Sequence, residues 1–251
     1  MQLRFLGAHN CETKDTLLPG LLLDGHIAFD CGSLSRSLTE EELLAVKDVF
    51  LTHRHFDHIR DVVTLAMTDL QFGGKFTIHG NEETKDAIQS HLYNHCLYSD
   101  FFKKEIASYH VIENGTLVIL ADYFVTPYAV NHGVKSQGFL VEKDGRSFFY
   151  TGDISLKNKD TWNRIKPDVL IIEVTCDNSF TPKFTGGPHL TPELLGEELR
   201  VFREFHGYIP EVYTVHMSAN REVQIRTEIE DLAAELNAKI IVGHEDLVIE
   251  V

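Results

Sequence analysis

The sequence lacks the features that mark secreted or membrane-spanning proteins. Its four cysteines, Cys11, Cys31, Cys96 and Cys176, form no C-x-x-C pair. This scatter fits a reduced compartment better than a disulfide-linked secreted domain. No apolar run approaches the ~20 residues that a membrane-spanning helix needs. The start, MQLRFLGAHN, lacks the basic and apolar regions of a signal peptide. We therefore expect a cytoplasmic protein with no membrane association.

Positive charge is also scarce. Lysine and arginine total 23 residues against 38 aspartates and glutamates, which gives a net charge of -15. Such a charge repels phosphate polyanions at long range. No stretch clusters lysine and arginine with aromatic residues. A protein dedicated to binding large nucleic acids is therefore disfavoured, and we expect a small-molecule substrate. A local basic pocket remains compatible with this composition.

The chain has no internal repeat, low-complexity run or proline-rich linker, so we expect one domain over residues 1–251. Strand-like runs dominate the start and the middle, and helical patterns lie between them. Helices are predicted at 39–47, where Thr39 and Glu42 form a capping box, and at 59–72, 81–95, 191–205 and 221–237. Two sheets with helices outside them would bury both kinds of apolar face. This predicts an α+β protein built as a four-layer αββα sandwich.

The segment THRHFDH, residues 52–58, concentrates potential metal ligands. It follows a predicted buried strand and precedes a helix, with the spacing H-x-H-x-D-H. A tight loop there can aim His53 and His55 at one point, and Asp57 and His58 at a neighbouring point. Imidazole nitrogen and carboxylate oxygen are ligands that Zn²⁺ accepts. Two such points about 3.5–4 Å apart would make a two-metal site, whereas a solvated polar loop rarely holds so many ligand-type residues.

Further candidate ligands lie at the ends of predicted strands. His132 ends YFVTPYAVNH, Asp153 ends SFFYTGD, and His216 ends EVYTVH. Strand tips that meet at one edge of the sheets would bring these side chains to the same place. Each residue also has an ordinary interpretation: His132 as a turn residue, Asp153 as a cap, and His216 as a half-buried core histidine.

Together these segments resemble the metallo-β-lactamase superfamily. The resemblance is carried by THRHFDH, NHG at 131–133 and TGD at 151–153, with Asp30 in DCG upstream. It implies an αββα fold and a hydrolase site with two divalent metal ions, with Zn²⁺ expected first and Mn²⁺ or Fe²⁺ also accepted. By position, the resemblance implies that one metal is bound by His53, His55 and His132, that the other is bound by Asp57, His58 and His216, and that Asp153 bridges them. Asp30 is a candidate partner for a metal-bound histidine.

The C-terminal third resembles the phosphodiesterase branch of that superfamily, which includes RNase Z and the phosphonate-pathway phosphodiesterase. The resemblance is carried by IIEVT with Glu173, GGPHLTPELL with His189, and VYTVHMS with His216. It implies that His189 assists proton transfer and is oriented by Glu173. His189 also has a plain reading as a loop histidine beside a helix. His244, near the C-terminus, is our second choice for the last metal ligand.

The expected function is therefore a metal-dependent phosphodiesterase for a small phosphodiester or cyclic nucleotide. Asp57, His189 and Glu173 are the expected catalytic residues. A shared pair of metals would lower the pKa of a bound water toward neutrality. The alternatives are a carbonyl-ester hydrolase, such as a lactonase, thioesterase or β-lactamase-like enzyme, and a non-catalytic metal-binding protein. Dimers are common in the phosphodiesterase branch, so a homodimer is one expected state.

Overall fold

The computed structural model describes residues 1–251 and contains two β-sheets. The strands of the first sheet are β1 (Gln2–Gly7), β2 (Gly20–Leu23), β3 (Ile27–Phe29), β4 (Asp48–Phe50), β5 (Phe76–Gly80), β6 (Ala107–Val111) and β14 (Val248–Glu250). The strands of the second sheet are β7 (Val118–Leu120), β8 (Tyr123–Val130), β9 (Ser136–Lys143), β10 (Arg146–Tyr150), β11 (Val169–Glu173), β12 (Glu211–Val215) and β13 (Ile240–Val242). The helices are α1 (Leu34–Ser37), α2 (Glu40–Ala45), α3 (Phe56–Ile59), α4 (Val62–Phe72), α5 (Glu82–Ala87), α6 (Lys159–Trp162), α7 (Thr181–Phe184), α8 (Pro192–His206) and α9 (Glu222–Leu236).

The directions of the strands bring several loops together at one edge of the sheets. The strand orders are β14-β1-β2-β3-β4-β5-β6 and β13-β12-β11-β10-β9-β8-β7. Strands β3 to β6 run parallel to one another, and so do β10 to β13. Because the carboxyl ends of parallel strands share an edge, the loops that follow them lie side by side.

Strand β11 shows why the chain forms four layers. Its Leu170 and Ile172 pack with Leu195 of α8 in the core beneath the helices. Ile171, between them, packs with Phe148 in the core between the two sheets. A strand buried on both faces reads as a continuous apolar run, as VLII does here. The predicted four-layer αββα sandwich is thus confirmed, and the one-domain assignment stays a prediction.

Helix caps and turns follow the local sequence signals. Thr39 accepts a hydrogen bond from the Glu42 amide, and the Glu42 side chain accepts one from the Thr39 amide, which completes the predicted capping box. Thr191 caps α8 through the amide of Leu194. No helix combines the length and the apolar composition needed to cross a membrane.

The sequence-based boundaries were wrong in three places. The helix predicted over 59–72 begins only at Val62, as α4, because the Asp61 amide donates to the Cys31 carbonyl at 2.7 Å and so does not continue the hydrogen bonding of α3. The helix predicted over 81–95 leaves α-helical geometry after Ala87 and continues as a π-helical turn, Ile88–Leu92. Strand β6 was not predicted, since only Ala107 of this edge strand is buried and its other side chains are exposed or partly buried.

Gly32 provides a test of how tightly the loop after β3 packs. A Cβ at this position would lie 2.6 Å from the Pro19 carbonyl oxygen and closer still to that of Asp57. We expect Gly32→Ala to lower the free energy of unfolding by about 2–3 kcal/mol, measured by urea denaturation. Gly186→Ala is the matched control, because a Cβ there meets nothing within 4 Å. Equal stabilities of the two variants would contradict the close packing at Gly32.

Candidate metal centre

The loop after β4 presents its ligand-type side chains in two directions. His55 lies in extended backbone, and its ring centroid is 4.5 Å from that of His53, two residues earlier, so the two side chains point to one side. Arg54, between them, points away and pairs with the exposed Glu83. Helix α3 then begins and places Asp57 and His58 in its first turn. The H-x-H-x-D-H spacing therefore produces two neighbouring sets of side chains.

Residues from distant loops complete both sets. The ligand atoms of His53, His55, His132 and Asp153 all lie within 4.8 Å of one another, and so do those of Asp57, His58 and His216. His132 Nε2 is 3.4 Å from His55 Nδ1, and His216 Nε2 is 3.3 Å from Asp57 Oδ2. We call the two sets together the seven-residue cluster.

Asp153 lies between the two sets. Its Oδ2 atom is 3.7 Å from Nε2 of both His53 and His132. Its Oδ1 atom is 3.1 Å from His58 Nε2 and 3.3 Å from His216 Nε2. The side chain is 2% exposed. Each carboxylate oxygen thus faces a different set of histidines.

Asp30 supports the cluster from the first sheet. This buried carboxylate follows β3 and accepts a 2.7 Å hydrogen bond from His58 Nδ1, as expected from the sequence. It also accepts hydrogen bonds from the Thr52 amide and hydroxyl and from the Tyr150 hydroxyl. Because Nδ1 of His58 is bonded to Asp30, its Nε2 atom faces Asp153.

Glu173 supports the cluster from the second sheet. It is fully buried, and its Oε1 atom accepts hydrogen bonds from His189 Nδ1 at 2.9 Å and from the Ile154 amide at 3.0 Å. Its Oε2 atom accepts a hydrogen bond from the Thr175 hydroxyl, whose oxygen lies 2.9 Å from His216 Nδ1. No sequence signal singled out Thr175, although the residue lies in the loop just after β11.

Burial and neighbouring charges control protonation in the cluster. Burial and the adjacent His58 hold the pKa of His53 well below its usual range. Burial disfavours the charged form of Asp153, but His216 and His58 lower its pKa well below the usual value. Burial also disfavours the charged form of Asp57, but His58 and His216 lower the pKa of Asp57 to about 2. Both carboxylates are therefore ionised, and His53 is neutral, near pH 7.

The cluster suits divalent cations because it contains buried polar atoms without partners. His53 Nε2, His58 Nε2 and Asp153 Oδ1 make no hydrogen bond in the structure. Unpaired buried polar atoms are costly. Imidazole nitrogens and carboxylate oxygens are the donors that Zn²⁺ and similar metals accept. The donor set and its burial thus fit a metal site.

His244 and His9 both lie outside the cluster. His244 is exposed, and its Nδ1 atom donates to the Glu245 carbonyl. His9 is buried, but it is bonded to the carboxylates of Glu245 and Glu222. The structure therefore places His216 in the cluster and His244 at the surface.

Comparison with known proteins agrees with this architecture. The model of the β-lactamase superfamily domain matches residues 27–217, well over half of the chain. The chain therefore belongs to the β-lactamase superfamily. The structure of unliganded yeast PDE1 is similar, with a TM-score of 0.87, 17% identity, and coverage of 100% of this chain and 99% of that one. The chain has the metallo-β-lactamase fold that its motifs implied.

Relatives by sequence include a ribonuclease and a cyclic-nucleotide phosphodiesterase. Ribonuclease Z of Methanopyrus kandleri is 28% identical over 148 residues, which cover 56% of this chain and 50% of the relative. The 3',5'-cyclic-nucleotide phosphodiesterase 1 of Saccharomyces cerevisiae is 23% identical over 195 residues, which cover 64% of this chain and 52% of the relative. The chain thus spans about half the length of these two relatives.

The hydrogen bond between His189 and Glu173 should make the stability of the protein depend on pH. Burial lowers the pKa of His189, but the Glu173 carboxylate overcomes this and raises the pKa from 6.5 to about 9. Because the folded value is raised, the contact stabilises the metal-free protein fully below pH 6.5, and this stabilisation is lost as the pH rises through about 9. We expect Glu173→Gln to lower the pKa of His189 in an NMR titration of ¹³C-histidine-labelled protein.

The exposed Glu193, at the start of α8, allows a matched control. Glu193→Gln should leave the titration of His189 unchanged. An unaltered pKa of His189 in Glu173→Gln would show that this carboxylate does not control the imidazole.

Proposed function

We propose that the chain is a metal-dependent hydrolase with a binuclear site, and that it acts on a small phosphodiester or cyclic nucleotide. The observation that carries this proposal is the position of Asp153, whose two oxygens face separate sets of ligand-type side chains. His53, His55 and His132 would hold one cation. Asp57, His58 and His216 would hold the other, and Asp153 would contact both. Zn²⁺ suits these donors best, and Mn²⁺ and Fe²⁺ are compatible with them.

Bound cations would lower the pKa of a coordinated water and offset negative charge on the substrate. The chain's own residues orient the ligands and handle the proton of the leaving group. Asp30 fixes His58, and Thr175 fixes His216. Because His189 Nδ1 is bonded to Glu173, the imidazole is oriented and can carry a second proton on Nε2. A general acid of this kind would protonate the leaving alkoxide.

Three observations favour a small phosphodiester. The relatives named above are a ribonuclease and a cyclic-nucleotide phosphodiesterase. The His189–Glu173 pair lies beside the cluster, with His189 Nδ1 4.0 Å from Asp153 Oδ2. The net charge of -15 opposes the approach of a long polyanion. A single diester group carries much less charge and is repelled correspondingly less.

Hydrolysis of bis(p-nitrophenyl) phosphate tests this proposal. We expect the protein reconstituted with Zn²⁺ or Mn²⁺ to release p-nitrophenol. Asp57→Ala should lose activity together with bound metal, because it removes a ligand. His189→Gln should keep its metal and lower kcat by about 10²–10⁴-fold, the usual contribution of a general acid. Metal content is measured for each variant by elemental analysis.

His244→Gln is the matched control for these variants, because this exposed histidine lies outside the cluster. It should retain both metal and activity. Loss of metal in His244→Gln would overturn the assignment of His216 as the last ligand. A metal-loaded protein that is inert on phosphodiesters but cleaves a lactone or thioester would replace the proposal with the carbonyl-ester alternative.

A further inference from the structure

His9 lies outside the seven-residue cluster, but its segment pairs with the loop that carries one residue of the cluster. The backbone of His9 lies beside that of Met217 in an isolated bridge. The Met217 amide donates to the Ala8 carbonyl at 3.0 Å, and the Asn10 amide donates to the Met217 carbonyl at 3.1 Å. Met217 directly follows His216. The loop after β1 therefore holds the backbone next to a candidate metal ligand.

His216 depends on such support because its backbone conformation is uncommon. Its φ angle is +67°, in the left-handed region that disfavours residues with a Cβ. A conformation of this kind persists only where the surrounding contacts enforce it. The two backbone bonds of Met217 supply part of that enforcement. Asn10 adds to it, because its side-chain amide donates to the Ser218 hydroxyl at 3.0 Å.

The imidazole of His9 is bonded to a carboxylate at each of its nitrogens. Nδ1 lies 2.6 Å from Glu245 Oε1, and Nε2 lies 3.3 Å from Glu222 Oε2. An ionised carboxylate only accepts hydrogen bonds, so the two contacts together require a proton on both nitrogens. Burial lowers the pKa of His9, but the Glu245 and Glu222 carboxylates overcome this and raise it above its usual value. The ring is therefore an imidazolium, and its side chain is 3% exposed.

The two carboxylates belong to segments that are far apart in the chain. Glu245 lies in the loop between β13 and β14, and its Oε1 atom also accepts a 2.9 Å hydrogen bond from the Leu17 amide. Glu222 is the first residue of α9, the helix that follows the loop after β12. Arg226 donates to the other oxygen of Glu222 at 2.6 Å. The His9 imidazolium thus joins the C-terminal loop to the start of α9.

We propose that His9 is a positioning residue for the metal ion that His216 would help to bind. It acts at both ends of the loop after β12, through the backbone of Met217 and through the side chain of Glu222. The inference rests on the binuclear site proposed above and extends it. Neither His9 nor its two carboxylates bond to the other set of ligands, which contains His53. Loss of this tie should therefore weaken one metal site and spare the other.

Calorimetric titration of the metal-free protein with Zn²⁺ tests the inference without reference to activity. We expect the wild type to bind two ions. In His9→Asn, the amide nitrogen replaces Nδ1 and keeps the bond to Glu245, but the bond to Glu222 is lost. The affinity for one ion should fall by about 10–100-fold, the usual effect of losing a group that orients a metal ligand. The affinity for the other ion should stay at the wild-type value.

Two further variants separate this tie from other effects. Glu222→Ala releases the tie from its other end and should cause the same selective loss. Because both changes break one contact, the double variant should lose little more affinity than either single variant. Glu230→Ala is the matched control, since this glutamate is exposed and lies on the same helix. It should leave both affinities unchanged.

Two ligand-deficient backgrounds identify the weakened site. Asp57→Ala removes a ligand of the His216 set, so addition of His9→Asn should not alter the binding of the ion that remains. His55→Ala removes a ligand of the other set. In that background, His9→Asn should weaken the remaining ion by about 10–100-fold.

Equal losses at both sites, or no loss in either His9→Asn or Glu222→Ala, would overturn the inference while the binuclear site stood. A wild type that binds fewer than two ions would overturn the binuclear site, and the inference with it. Thermal unfolding of each metal-free variant shows whether it is folded. If His9→Asn does not fold, the comparison of Glu222→Ala with Glu230→Ala decides the question.

Discussion

The candidate site depends on one buried carboxylate, Asp153, being kept ionised between two sets of histidines. Removal from water disfavours its charge, and His216 and His58 reverse that effect. The balance is mutual, because the same carboxylate raises the pKa of His58. The proposed divalent cations would satisfy this arrangement better than shared protons, because they would also accept the lone pairs of buried imidazole nitrogens that have no partner.

Each sheet contributes one further buried carboxylate that orients the histidines. Asp30, at the end of β3, bonds to His58 in the first sheet's half of the site. Glu173, at the end of β11, acts on His189 directly and on His216 through Thr175. The parallel strands thus carry candidate ligands and the carboxylates that orient them to the same edge. The two-sheet fold therefore positions both the cluster and the carboxylates that orient its histidines.

The sequence predicted the parts of the site whose signal is local. The segment 53–58 stands out because ligand-type residues crowd a short loop, and strand ends pointed to His132 and Asp153. Thr175 could not be found in this way, because His216, the histidine that it orients, lies far along the chain. The same limit explains the break at Asp61, whose amide donates to the carbonyl of the distant Cys31. The apolar run of β11, in contrast, is a local signal of the kind expected for a strand buried on both faces.

Anomalous diffraction from crystals grown with Zn²⁺ tests the central claim most directly. Data collected above and below the zinc absorption edge would locate the metals without assumptions about activity. The account predicts two peaks about 3.5–4 Å apart, one on each side of the Asp153 carboxylate. The first would be bordered by His53, His55 and His132, and the second by Asp57, His58 and His216. A single peak, or peaks that leave Asp153 uncoordinated, would contradict it.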